Sequence, residues 1–172
     1  MIIILLFMPV DFHNKYVKII LNIIQRYNHN KYWRRRAITV SPEAKACKLL
    51  KLYYLLYIKY IDARHNASFG TNLNSGAVFK SAPELPHGPN GIIVGHDCVI
   101  GENCMIFHQV TIAHGNVKIG DNVMLGTGAK ILPNVTIGNN VKVGANCVVV
   151  ESVPDNATVV MPKPRIIINE PK

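Results

Sequence analysis

Residues 118–150 read KIGDNVMLGTGAKILPNVTIGNNVKVGANCVVV, and an aliphatic side chain returns at every sixth position: Ile119, Leu125, Ile131, Ile137, Val143 and Val149. Upstream the same beat runs through Val94, Ile100, Ile106 and Ile112, with one extra residue before Ile119. Six of these ten aliphatics are followed directly by glycine: Gly95, Gly101, Gly120, Gly126, Gly138 and Gly144. Four residues after the aliphatics stand Cys98, Cys104, Val110, Val123, Ala129, Val135, Val141, Cys147 and Val153, all small or β-branched. A weaker stretch falls into register at Ala67, Leu73 and Phe79.

A period of six matches neither the 3.6 of a helix nor the 2 of a strand. A triangular coil explains it, with three short flat strands per circuit and one aliphatic pointing inward on each side. Successive coils then stack at the sheet spacing of about 4.8 Å, each aliphatic lying on its equivalent from the coil before. The glycines are expected at the corners, where a backbone with φ > 0 resists a Cβ. The pattern is that of a hexapeptide-repeat parallel β-helix.

Outward from the repeat, the charge divides the chain. Residues 1–66 carry twelve Lys/Arg against three Asp/Glu, whereas residues 67–172 carry seven of each, so the formal surplus of +9 lies wholly in the first part. SPEAKACKLLKLYYLLYIKYIDA, from Ser41, is expected to be an amphipathic helix with Ser41 as N-cap, Pro42 at the first helical position and Glu43 in the first turn. DFHNKYVKIILNIIQRY, from Asp11, reads as a shorter helix of the same kind, and KYWRRR between them as a solvated basic loop. The opening MIIILLFMPV is too short to span a bilayer and has no basic stretch before it. A helix packing onto the rest of the chain, or shallow membrane contact through residues 1–40, is therefore expected rather than secretion. The expected organisation is a basic helical region over 1–65, the β-helix over 66–160 and a tail over 161–172.

The segment 87–114 holds four histidines and two cysteines, the commonest zinc ligands. The repeat register separates them. Cys98 and Cys104, like Cys147, occupy the small inward position and are expected to behave as small hydrophobes. With no CxxC among the four cysteines, a reduced, cytoplasmic-side location is expected. His96, His108 and His114 each stand two residues after an aliphatic, where the side chain should face out; His96 and His114, eighteen apart, should stack in neighbouring coils. His87 lies in ELPHGPNG, a Pro/Gly-rich excursion between coils. Asn66, Asn134 and Asn156 match glycosylation acceptors but read as turn asparagines. No phosphate loop, nucleotide fingerprint or nucleic-acid module is present, and no nucleic-acid partner is expected.

LPHGPNGIIVG, VIGENCMIFHQVTI, KIGDNVMLGTGAKIL and VKVGANCVVVESVPDNATVV together resemble the serine acetyltransferase-like branch of the hexapeptide acyltransferases, which includes polysaccharide O-acetyltransferases. The resemblance covers residues 66–168 and implies a left-handed parallel β-helix, a homotrimer, and acetyl-CoA as acyl donor in clefts between subunits, with no metal. It implies His87 as the catalytic histidine and His114 as a second active-site histidine. For the cofactor it implies Gly126, Gly128, Ala129 and Lys130, with Lys163 and Arg165 reaching the CoA phosphates. The chemistry agrees: a thioester is already electrophilic, a hydroxyl is barely acidic, and an imidazole with a pKa near 6.5 supplies the missing base.

Several positions depart from that branch. Asn66 and Pro86 stand where serine acetyltransferases have aspartates, so the group orienting His87 is expected to be Glu84, Asp62 or a backbone carbonyl. The IAHGN loop is short, and Met161-Pro162-Lys163-Pro164 replaces the usual tail motif. These departures direct the expected acceptor toward a sugar hydroxyl of a surface or capsular polysaccharide, or its precursor at the inner face of the membrane. L-Serine is the alternative acceptor. A γ-carbonic anhydrase-like zinc site on His96, His108 and His114, and a non-catalytic scaffold, are the other readings.

Overall fold

The structure, a computed structural model, describes residues 27–167. The aliphatic opening and nearly all of the helix expected from Asp11 lie outside the described residues, as does most of the expected membrane-contact segment 1–40. Among the described residues two helices precede the repeats, α1 (His29–Val40) and α2 (Lys48–Arg64). Asn28 caps α1 by accepting from the Lys31 amide at 2.9 Å.

The Ser-Pro pair expected to open a helix instead closes one. The Ser41 amide donates to the Ala37 carbonyl as the C-cap of α1, and α2 begins only after Cys47. Proline just past a helix end cannot continue it, so the same dipeptide suits a stop as well as a start. KYWRRR is helical rather than a loop, and its arginines have three different fates. Arg34 is exposed. Arg35 lies over the Tyr57 ring at 4.3 Å. Arg36 is buried and donates to the carbonyls of Phe69 and Ala77, both at 2.7 Å, and from Nε to Thr71 Oγ1 at 3.0 Å. A cation expected to be solvated thus satisfies the otherwise open end of the solenoid.

From Ser68 the chain winds as a parallel β-solenoid with three faces of two-residue strands. Face one stacks Ser68–Phe69, Ile93–Val94, Thr111–Ile112, Lys130–Ile131 and Val148–Val149. Face two stacks Val78–Phe79, Val99–Ile100, Lys118–Ile119 and Thr136–Ile137, and face three Met105–Ile106, Met124–Leu125, Lys142–Val143 and Thr158–Val159. The ten repeat aliphatics are at most 4% exposed and form one core with Tyr32, Trp33, Ile58 and Ile61 of the helices. Burying each contributes about 1.5–3 kcal/mol. Val117 fills the inward position in the coil carrying the extra residue.

The weak early register needs correcting. Phe79 pairs with Ile100 as expected, but Phe69, not Ala67, pairs with Val94, and Leu73 sits in the turn of the Thr71–Asn72/Ser75–Gly76 hairpin. The glycines also serve a different purpose from the expected one. None of the six has positive φ; that conformation belongs to Asn103, Asn116, Asn122, Asn134, Asn140, Asn146 and Asn156, the residue best able to adopt it besides glycine. The glycines instead mark close coil-to-coil approach. A Cβ on Gly101 would lie 2.4 Å from the Gly120 carbonyl oxygen, and one on Gly95 would lie 2.6 Å from His114 Cα.

Candidate active site

The solenoid has three corners, and the histidines divide between two of them. At the corner between faces three and one lies the excursion carrying His87. Its backbone is closely held: Gly88 donates to the Leu85 carbonyl at 3.0 Å, Gly91 to that of His65 at 2.9 Å, and Gln109 to that of Asn90 at 2.9 Å. The Asn90 amide donates to the His87 carbonyl at 2.9 Å, which turns its oxygen to accept from His65 Nδ1 at 2.8 Å. Gly88 and Gly91 both have φ +68, the left-handed region this tight excursion requires. The loop is pre-shaped before any ligand arrives.

The exposed His87 imidazole rests on two neighbours from the next coil. Its ring centroid is 5.0 Å from that of His108 with planes 24° apart, and 5.7 Å from that of Phe107. No carboxylate hydrogen-bonds it among the described residues. Asp62 is instead buried under α1, accepting from the Tyr32 hydroxyl at 2.6 Å, and burial lifts its pKa to about 6. Glu84 is exposed and uses its backbone to bridge to Met105. Neither expected carboxylate stand-in reaches His87, whose ring instead stacks on His108. His108 is the residue whose role its sequence position understates. Its Nδ1 is buried with no hydrogen-bond partner among the described residues, and it lines the same cleft of about 510 Å³ as His65, Pro86, His87 and Asn90.

A second cleft adjoins the first through His65, Asn90 and His108 and runs down the corner past Asn66, Gln109, Gly128 and Lys130. Lys130 Nζ donates to the Gln109 carbonyl at 2.9 Å. Gly128 has φ +70, and a Cβ there would meet Asn146 Oδ1. Of the expected cofactor residues, Gly128 and Lys130 thus share this groove. Ala129 points its methyl into the core, and its amide and carbonyl are engaged by Gly126 and Thr111. Gly126 packs its backbone against the next coil, and Lys163 and Arg165 stand exposed on the tail.

His114 occupies the corner between faces one and two, at the opposite edge of face one from His87. One chain does not bring the two expected catalytic histidines together. As the eighteen-residue spacing predicts, His114 stacks on His96, with centroids 4.2 Å apart. It also has what His87 lacks. Asp97 Oδ1 lies 2.7 Å from His114 Nδ1, while Oδ2 accepts the amides of Gly115 at 2.9 Å and Asn116 at 2.8 Å. Those hydrogen bonds, the Asn116 amide foremost, hold the Asp97 carboxyl down at about 2. His108 at the other corner does not join His96 and His114 as one ligand set within a chain. Cys98, Cys104 and Cys147 are buried inward as expected, and burial pushes the Cys98 thiol up to about 11.

The bacterial transferase hexapeptide family model (six repeats) matches residues 116–150, and the model for the hexapeptide repeat of succinyl-transferase matches residues 91–112. No curated protein matches the chain. Among solved structures, a serine acetyltransferase from Neisseria gonorrhoeae is 30% identical over 86% of this chain and 53% of its own, with a TM-score of 0.53. Serine acetyltransferase 1 of Entamoeba histolytica in complex with L-cysteine is 30% identical over 63% and 44%, with a TM-score of 0.54. A serine acetyltransferase in complex with CoA is 26% identical over 77% and 54%, with a TM-score of 0.59. The chain thus spans less than two thirds of the length of each. It is similar to the hexapeptide transferases in its repeat and to the serine acetyltransferases in its fold.

Proposed function

We propose that the protein is an acetyl-CoA-dependent O-acetyltransferase with His87 as general base. The acceptor hydroxyl gives its proton to the His87 imidazole as its oxygen attacks the thioester carbonyl, and the CoA thiolate leaves. The observation that carries this reading is the placement of His87. An exposed imidazole stands on a braced loop against His108, at the mouth of a groove lined by Gly128 and Lys130. Lys130 contributes a cation to this groove, which suits a CoA phosphate.

The acceptor we favour is a sugar hydroxyl of a surface polysaccharide or its precursor, because among the described residues no acidic side chain lines either cleft to receive the ammonium of an amino acid. L-Serine is the second reading, supported by likeness to serine acetyltransferases, one of which, from Neisseria gonorrhoeae, is described in complex with serine. A homotrimer belongs to the same proposal. His87 and His114 edge opposite sides of face one, so a site using both needs two chains side by side. Release of CoA thiol from acetyl-CoA, measured against a panel of sugars and L-serine, tests activity and acceptor together. No release with any acceptor overturns the reading, and selective turnover of serine replaces the sugar by the amino acid. Mixing His87→Ala and His114→Ala chains tests the shared site: recovered activity supports it, and its absence from a mixed trimer contradicts it.

A further inference from the structure

α2 is apolar on the side turned away from the core. Lys51, Ile58, Ile61 and Asp62 face inward and are buried. On the opposite side Leu49, Tyr53, Leu56 and Tyr60 follow one another at helical spacing, 79%, 57%, 62% and 46% exposed, with Leu52 beside them at 44%. A surface helix of a globular protein ordinarily reverses this pattern, so an outward apolar stripe marks a contact surface. Cations border it. Lys48 and Lys59 lie along one edge, Arg64 closes the end, and Arg35 and Lys31 sit over the Tyr57 ring at 4.3 and 5.5 Å on the other edge. The only acid on α2, Asp62, points inward.

We propose that this face of α2 seats the protein on an anionic lipid surface, with the leucines in the acyl boundary and the lysines and arginines among the headgroups. Both halves of the pattern are needed for the choice of partner. An acidic polymer would use the cations but leave Leu49 and Leu56 in water. A second copy of the chain would cover the leucines but bring two basic borders together, a like-charge cost with no acid on either face to offset it. A bilayer interface takes both, and tyrosines are favoured at that depth. No helix among the described residues is long and apolar enough to cross a membrane, so the contact is lateral.

Co-sedimentation of the full chain with vesicles tests this. Phosphatidylcholine vesicles containing phosphatidylglycerol should retain the protein. Pure phosphatidylcholine, or high salt, should weaken retention at least about tenfold. The variant Leu49→Glu/Leu56→Glu should lose at least about tenfold in retention on anionic vesicles with its circular dichroism, thermal midpoint and solution mass unchanged, because both side chains are already in water. Lys48→Glu/Lys59→Glu should lose the anionic preference. Wild-type protein that ignores anionic vesicles, or a leucine variant that binds them equally well, overturns the proposal. A leucine variant that changes solution mass without changing retention assigns the stripe to a second copy and likewise overturns it. A leucine variant with a lowered thermal midpoint assigns the stripe to another segment of the same chain, which also overturns the lipid contact.

Discussion

The imidazole of His87 stacks on that of His108 from the next coil, with ring centroids 5.0 Å apart and planes inclined by 24°. In the proposed reaction, this contact stands where a carboxylate would otherwise hold the imidazole of the base. His87→Ala should lower acetyl transfer by about 10²–10⁴, the range for a positioned general base. His108→Ala should lower kcat by about tenfold or more with the thermal midpoint retained, because the base loses its stacking partner. A His108→Ala enzyme with wild-type kcat would remove His108 from the site.

At the opposite edge of face one, Asp97 ties the turn at Gly115 and Asn116 and holds His114. Its carboxyl titrates at about 2, below the ordinary value of 3.8. A depressed carboxylate contributes stability that is present above the unfolded value and disappears as pH falls through the folded one. Asp97→Asn should therefore lower the thermal midpoint at neutral pH and shrink the loss of stability between pH 4 and 2. Thermal melts across that window check the slope. His114→Ala should cost activity less than His87→Ala.

Asp62 works in the opposite sense. Burial raises its carboxyl to about 6, so its contribution is complete below pH 3.8 and fades as pH rises through 6. That change amounts to at most about 3 kcal/mol. Asp62→Asn, which keeps an oxygen for the Tyr32 hydroxyl, should flatten the stability profile between pH 4 and 7. An unchanged profile would show that Asp62 is not what bends it.

The cysteines should separate by burial. Cys47 is exposed and Cys98, Cys104 and Cys147 are buried, so a thiol reagent should titrate one group quickly in the native protein and all four once it is unfolded. Cys98→Val and Cys104→Ala should each cost about 1 kcal/mol and leave turnover intact, as near-isosteric core changes do. Fast modification of more than one native thiol would contradict the inward register.

Glycine and asparagine should fail differently. Gly101→Ala drives a Cβ to 2.4 Å from the Gly120 carbonyl oxygen, which only a shift of the coil can relieve, so folding yield should fall sharply. Asn122 has φ +57 and joins a ladder in which Asn103 donates to it at 3.3 Å and it donates to Asn140 at 3.2 Å. Asn122→Ala should lose about 1–2 kcal/mol to the left-handed backbone alone, and Asn122→Gly less. Chemical denaturation of the variants ranks them, and equal losses for alanine and glycine at 122 would assign the effect to the ladder instead.

The six-residue period by itself determined the coil, the ten inward aliphatics, the burial of Cys98, Cys104 and Cys147, and the stacking of His96 on His114. Each follows from a repeat in which eighteen residues return to the same face, so local spacing encodes the neighbour. The tertiary structure alone decided where that rule lapses. The excursion before Ile93 has no period, so nothing local sets His87 beside His108 rather than near His114. Ser41 and Pro42 carry a signal that serves a helix end as well as a helix start, and only the packing of α1 on the first coil selects the end. Arg36 is indistinguishable in sequence from Arg34 and Arg35. It is buried because the top of the solenoid presents the carbonyls of Phe69 and Ala77, which need a donor, and one turn of α1 places that guanidinium above them.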